Sequence, residues 1–227
     1  MANKKYLIGN WKSNKIHSGV ISFFQAISVL FNQSKDKLTS QVEAVICPSF
    51  LHLQSAFKLI KDLNIPVKLG AQDISPFGEG AFTGEINANQ LQEFVNYTII
   101  GHSERRNHLG ETDNLLKLKV DQAKEWGIKS VFCVSDAATY IPENVSLVAY
   151  EPLFAIGSGK PDTPENANII IKAIKKRISA IPVIYGGSVT SDNIKSFLQM
   201  EQIDGVLPGK SSLDPNNFYQ MLINAAQ

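Results

Sequence analysis

A chain of 227 residues, 44% of them hydrophobic, can bury a large core without disulfide help, and its balance of 22 basic against 21 acidic side chains excludes a global attraction to nucleic acid or to an anionic membrane. Two cysteines, Cys47 and Cys133, are too few for a disulfide scaffold and have no zinc-type spacing, so both read as free thiols in a reducing compartment. The apolar run that begins at Tyr6 is far too short for a signal-peptide core or a membrane span, which makes a cytoplasmic protein the expectation.

In chain order, short apolar runs rich in branched residues fall at 6–9, 42–47, 67–70, 97–101, 130–134, 147–150, 183–185 and 205–207. Runs of this kind are strands buried on both faces, the habit of parallel sheets. Helical periodicity fills most of the intervals. Residues 17–32 form one such stretch. Residues 112–126 form a second, with Leu116, Val120 and Ala123 on one face and Gly127 as the stop. A third carries Ala167, Ile170, Ile171, Ile174 and Ile178 as a stripe behind Thr163-Pro164-Glu165, which supplies a cap, a first-turn proline and an acid at the positive helix end. Residues 191–200 read the same way. The interval 135–146 is near the minimum for a parallel crossover and holds at most a turn of helix before Pro142.

Alternating strands and helices over an undivided chain predict a single-domain (β/α)8 barrel spanning residues 1–227, with the outer helix between strands five and six missing or vestigial. Strand five is then expected to be more exposed on its outer side.

In such a barrel the chemistry lies at the C-terminal ends of the strands. Strand one is followed by Gly9-Asn10-Trp11-Lys12, where the lysine can hold an anion as a point charge. Strand four runs into Gly101-His102-Ser103-Glu104-Arg105-Arg106, read as a polar loop with His102 directly behind a glycine. Strand six ends at Glu151-Pro152, an acid well placed to act as a base. Leu153, Phe154 and Ile156 beside it would desolvate the carboxylate and strengthen it as a base if they closed over it. Gly157 and Gly159 make this segment read as a lid. Small residues after strand seven (Gly186-Gly187-Ser188) and strand eight (Gly209-Lys210-Ser211) let backbone amides approach a phosphate. His17, His52 and His108 lack any such setting and read as surface or packing residues, and Cys133 as a small core residue.

Six segments together resemble the triosephosphate isomerase family: 9–12, 80–85, 100–106, 149–152, 155–160 and 185–189, in the family's order and spread over nearly the whole chain. The resemblance implies an aldose–ketose isomerase of glycolysis and gluconeogenesis that interconverts dihydroxyacetone phosphate and D-glyceraldehyde 3-phosphate through an enediolate. It implies Glu151 as the base and His102 as the group that polarises the carbonyl. Lys12 offsets developing charge, Asn10 orients substrate, and Glu104 and Ser103 support the pocket. Gly157, Ser188, Gly209 and Lys210 hold the phosphate through backbone N–H groups, and Ile156 and Leu207 clamp the carboxylate under the 152–160 lid. No metal or organic cofactor is implied. The 70–85 loop resembles the segment by which family members pair as homodimers, with Thr83 reaching Asn10 and Lys12 of a second copy. A phosphate-binding barrel without catalysis, or an isomerase of larger phosphosugars, would not need the segments around His102 and Glu151 together.

The chain departs from the family pattern in four places. The 135–146 connection is short. Cys133-Val134-Ser135-Asp136 stands where a glycine and a glutamate are usual. Phe154 replaces the usual lid tryptophan. Leu207-Pro208-Gly209-Lys210 replaces a non-proline residue followed by Gly-Gly or Gly-Ser.

Overall fold

Branched side chains crowd the helical backbone but pack well on a pleated sheet, and each predicted run is a strand in the computed structural model, which describes residues 4–33, 38–157, 159–178 and 180–227. The strands are β1 (Lys5–Asn10), β2 (Val42–Cys47), β3 (Lys68–Ala71), β4 (Tyr97–Ile100), β5 (Lys129–Val134), β6 (Leu147–Tyr150), β7 (Val183–Tyr185) and β8 (Gly205–Val206). Each pairs in parallel with the next, and β8 returns to β1 through Tyr6 opposite Gly205 and Leu7 opposite Val206, closing the barrel.

Alternation along the strands divides the core in two. Ile8, Val45, Ile99, Val131, Leu147 and Ile184 point inward and fill the barrel. Their neighbours Leu7, Ile46, Ile100, Phe132, Val148 and Val183 point outward against the helices. The helical layer comprises α1 (His17–Gln33), α2 (Leu38–Gln41), α3 (Leu53–Asp62), α4 (Ala88–Leu91), α5 (Ser103–Leu109), α6 (Asp113–Glu125), α7 (Pro164–Lys175), α8 (Ile194–Leu198) and α9 (Pro215–Ala225). The expected caps form. Thr163 accepts from the Asn166 N–H at 3.2 Å ahead of Pro164, and Gly127 ends α6 beyond its C-cap with a left-handed φ of 69°. Helix α8 is shorter than the 191–200 periodicity suggests, because Asn193 folds back to accept the Thr190 N–H and turns the first residues into a loop. No helix among the described residues is long and apolar enough to cross a membrane.

Two expectations need correction. The charged segment after β4 is not a loop: Ser103–Leu109 is helix α5, with His102 as its N-cap. The connection after β5 does lack a helix, but β5 is not exposed. Phe132 and Val134 are 0% and 2% accessible. The connection lies flat on the strand, packing Ala137, Ile141 and Val145 where a helix would sit. Asp136 Oδ1 accepts the N–H groups of Ala138 and Thr139 at 2.7 and 2.8 Å, which fixes the turn. Arg177, just beyond α7, donates to the carbonyls of Ala137 and Thr139 and pins the segment from outside.

Candidate active site

The barrel fixes where each strand releases its chain, and the ends of β1, β4, β6, β7 and β8 meet over one cavity of about 580 Å³. At the end of β4, Gly101 turns the chain with φ of 70°; a Cβ there would stand 3.0 Å from Leu116 and 3.2 Å from Arg106, so only glycine fits. This turn delivers His102 to the N-terminus of α5. Its Nδ1 accepts the backbone N–H of Glu104 at 3.2 Å. A ring nitrogen that accepts carries no proton, so the neutral ring holds its hydrogen on Nε2. Nε2 faces Glu151 Oε1 at 3.3 Å.

Glu151 leaves β6 with its N–H bonded to the Val134 carbonyl at 2.8 Å, and Pro152 follows at once. Its side chain is 2% accessible. Gly186 makes room for it, since a Cβ there would come within 2.9 Å of Glu151 Cγ. Oε2 accepts the Ser103 N–H at 3.4 Å. Burial pushes the Cys133 thiol well above its ordinary value, and the adjoining Glu151 carboxylate pushes it further. Cys133 therefore stays a neutral thiol beside the carboxylate. It is the small core residue expected, but it is also a neighbour of the site.

Lys12 follows β1 in a left-handed conformation, φ 52°, which costs a residue with a Cβ about 1–2 kcal/mol. Hydrogen bonds hold it there. Its N–H donates to Asn10 Oδ1 at 3.0 Å, and its carbonyl accepts from Gln72 Nε2 at 2.9 Å. The same Gln72 amide donates to the Cys47 carbonyl, tying the ends of β1 and β2 together. The Lys12 ammonium pairs with Glu104. Asn10 is itself buried and acts on the backbone of Lys12.

The opposite wall of the cavity carries Gly157, Ser188, Gly209 and Lys210. Among the described residues, the N–H groups of Gly209, Lys210 and Ser211 have no protein acceptor. They open a 3-10 turn over Lys210–Ser212, and all three residues line the cavity. Pro208 lies past the β8 ladder, whose last N–H bond is from Leu207 to Tyr185; its own carbonyl accepts from Asn10, so its missing N–H removes no ladder bond. Lys210 is not left-handed, so its Cβ brings no strain.

The lid segment folds Leu153–Ala155 into one 3-10 turn. Its two ends are tied to the chain around β7. Ser188 Oγ donates to the Ala155 carbonyl at 2.5 Å, and the Asp162 N–H donates to the Tyr185 hydroxyl at 2.8 Å. Leu153 and Phe154 point outward, 57% and 63% accessible. With these two side chains turned outward, the burial of Glu151 comes from the barrel. Ile156 and Leu207 do line the cavity with Glu151. Ser103 lines a smaller recess of about 80 Å³ behind the carboxylate. Thr83 lies apart from the cavity, on the exposed stretch 77–85. Gln72, Tyr185 and Asp162 escaped the sequence reading as site-builders. Gln72 stands directly after β3, which is the one signal that could have marked it.

Cys47 and Cys133 are both free and buried. His52 packs with its Nε2 3.1 Å from the Lys15 carbonyl, while His108 is exposed. Among the described residues, no three His, Cys, Asp or Glu side chains group closely enough to hold a metal ion. The constellation is therefore a buried carboxylate against a neutral imidazole N–H, a cation, and a corner of open amides.

A family model described as triosephosphate isomerase matches residues 5–226. The triosephosphate isomerase of Mesomycoplasma hyopneumoniae (strain 7448) is 36% identical over 244 residues, covering 98% of this chain and all of its own length. That of Mycoplasma genitalium is 36% identical over 245 residues, covering 96% of this chain and 97% of its own. That of Dictyoglomus turgidum is 35% identical over 252 residues, with 96% and 98% covered.

Proposed function

The chain belongs to the triosephosphate isomerase family, and from that premise we propose how its own residues interconvert dihydroxyacetone phosphate and D-glyceraldehyde 3-phosphate. Glu151 takes a carbon-bound proton next to the substrate carbonyl and returns it to the neighbouring carbon. His102 donates its Nε2–H to the oxygen on which the enediolate charge develops. Lys12, held by Asn10 and Gln72, offsets that charge, and Glu104 limits the cost of burying the lysine. The amides of Gly157, Ser188, Gly209 and Lys210 hold the phosphate. Closure of the 152–160 lid, with Ile156 and Leu207 against the carboxylate, excludes water.

One observation carries the reading: the Glu151 carboxylate lies 3.3 Å from His102 Nε2, and the Glu104 N–H on Nδ1 leaves that Nε2 as a donor. A coupled assay on glyceraldehyde 3-phosphate tests it. Because β6 fixes the backbone, Glu151→Asp draws the carboxylate back by about 1.5 Å, and a displacement of that size costs about 10²-fold in kcat. A Glu151→Asp enzyme as fast as wild type would remove Glu151 from the role of base.

The whole chain acts as one barrel domain in the cytoplasm, paired as a homodimer through the 70–85 loop. Exposed apolar groups support the pairing. Phe77 and Phe82 stack at 4.3 Å on this loop and are each 41% accessible. Ile16 and Leu51, beside the His17–His52 ring pair, are 75% and 87% accessible. Burying such side chains on association is favourable by roughly 25 cal/mol per Å². Sedimentation equilibrium is expected to give twice the chain mass of 25.0 kDa; a monomer at micromolar concentration would refute the pairing.

A further inference from the structure

Lys210 is the cation of the phosphate corner that the protein itself leaves unengaged. It lines the cavity and is exposed, and its ammonium has no ion pair or hydrogen bond among the described residues. Lys12, the other cation of the cavity wall, is paired with Glu104. Among the described residues, the charged side chains lining the cavity are thus Lys12, Glu151 and Lys210. With Glu104 behind Lys12, the four groups are neutral together. Without Lys210 they would present one net negative charge to a phosphate ester that itself carries about −1.5 to −2.

Open amides supply direction but only partial charge, so they do not offset a full carboxylate in the same cavity. We infer that the Lys210 side chain is a second phosphate-binding group, acting through its ammonium in addition to the backbone amides around it. This rests on the reading that the Gly209–Ser211 corner holds the phosphate. A lysine is a point charge on a flexible stem, and its backbone here is unstrained. The phosphate does not change during proton transfer, so Lys210 binds substrate and transition state alike. Uniform binding of this kind lowers KM and leaves the chemical step alone.

Steady-state kinetics on glyceraldehyde 3-phosphate, with inorganic phosphate as the competing anion, test the inference on Lys210→Gln, Lys210→Glu and Lys210→Arg. For Lys210→Gln we expect KM and the inhibition constant of inorganic phosphate to rise together by about three- to fivefold, the scale of a solvent-exposed charge pair, with kcat held. Lys210→Glu is expected to rise further, and Lys210→Arg to stay near wild type. The decline of kcat/KM with added sodium chloride should be shallower in Lys210→Gln, because one attractive charge is gone. A purely structural role would not produce that salt signature. If inorganic phosphate competes in the wild type but its inhibition constant and KM are unmoved by Lys210→Gln, the inference on Lys210 falls and the amide site stands. A fall in kcat at constant KM would overturn it as well. If inorganic phosphate does not compete with substrate in the wild type, the phosphate corner itself is misread, and the Lys210 inference falls with it.

Discussion

Replacing Lys119 with methionine removes the charge from a buried four-residue cluster while keeping most of the side-chain bulk. Lys119 is 3% accessible, and its ammonium bonds both carboxylate oxygens of Asp73 at 2.7 Å and Oε1 of Glu111 as well. Arg105 faces the same two acids, with Nη2 at 2.6 Å from Asp73 and Nε at 2.8 Å from Glu111. Two cations thus balance two acids, and they tie the root of the 70–85 loop to α5 and α6. Burial already holds the Asp73 carboxyl above its usual value, against the pull of Lys119 and Arg105. Removing one partner from a buried ionic cluster costs about 3–5 kcal/mol. Arg105 remains to serve both acids, so the lower end, about 3 kcal/mol, is the expectation. For a chain of this length 1 kcal/mol moves Tm by about 2–4 °C, which predicts a fall of about 6–12 °C for Lys119→Met. Calorimetry at pH 7 and pH 5 measures it. With Lys119 gone, Asp73 keeps its burial but loses one of its two cations, so its carboxyl, already raised in the folded protein, is raised further. That raised value stabilises the fold at low pH and is lost as pH rises through it, so the deficit should be smaller at pH 5 than at pH 7. A variant melting within 2 °C of wild type at pH 7, or a deficit that grows on acidification, would show that the Lys119 charge does not hold this cluster together.

On the floor of the barrel, burial of Glu43 is outweighed by hydrogen bonds from Lys68, Tyr97 and Lys4, which hold its carboxyl at about 2. Its contribution to stability is present above the ordinary value of 4.5 and disappears as pH falls toward 2. Urea titrations across that range should show wild type losing stability more steeply than Glu43→Gln; parallel curves would remove Glu43 from the acid response. His102→Gln keeps an amide donor but loses the oriented ring, and kcat is expected to fall by about 10²–10³ with Tm nearly unchanged; undiminished turnover in the coupled assay would dismiss the histidine.

The strands were legible because their branched runs are local signals, and the cap at Thr163 because its geometry spans only three residues. Asn10, Lys12, His102 and Glu151 could be located because each follows a readable strand. Their mutual geometry could not. Helix α5 was hidden in a charged stretch. Its first turn uses His102 as acceptor, and its arginines are held by Asp73, Glu111 and Asp113, partners outside the helix. The cover over β5 was missed for the same reason. It depends on Arg177, some forty residues further along the chain, reaching back to the carbonyls of Ala137 and Thr139. Gln72, and Cys133 as a neighbour of Glu151, acquire meaning only when the barrel closes and sets the ends of β1, β2 and β3, and those of β5 and β6, side by side.

Whether Glu151 carries the substrate proton can be read from isomerisation in deuterium oxide followed by proton NMR. Product formed by wild type is expected to carry solvent deuterium at the carbon that receives the proton, and Glu151→Gln, folded and with an unchanged inhibition constant for inorganic phosphate, to form almost none. Deuterated product from Glu151→Gln at the wild-type rate, or wild-type product free of deuterium, would contradict this role for Glu151.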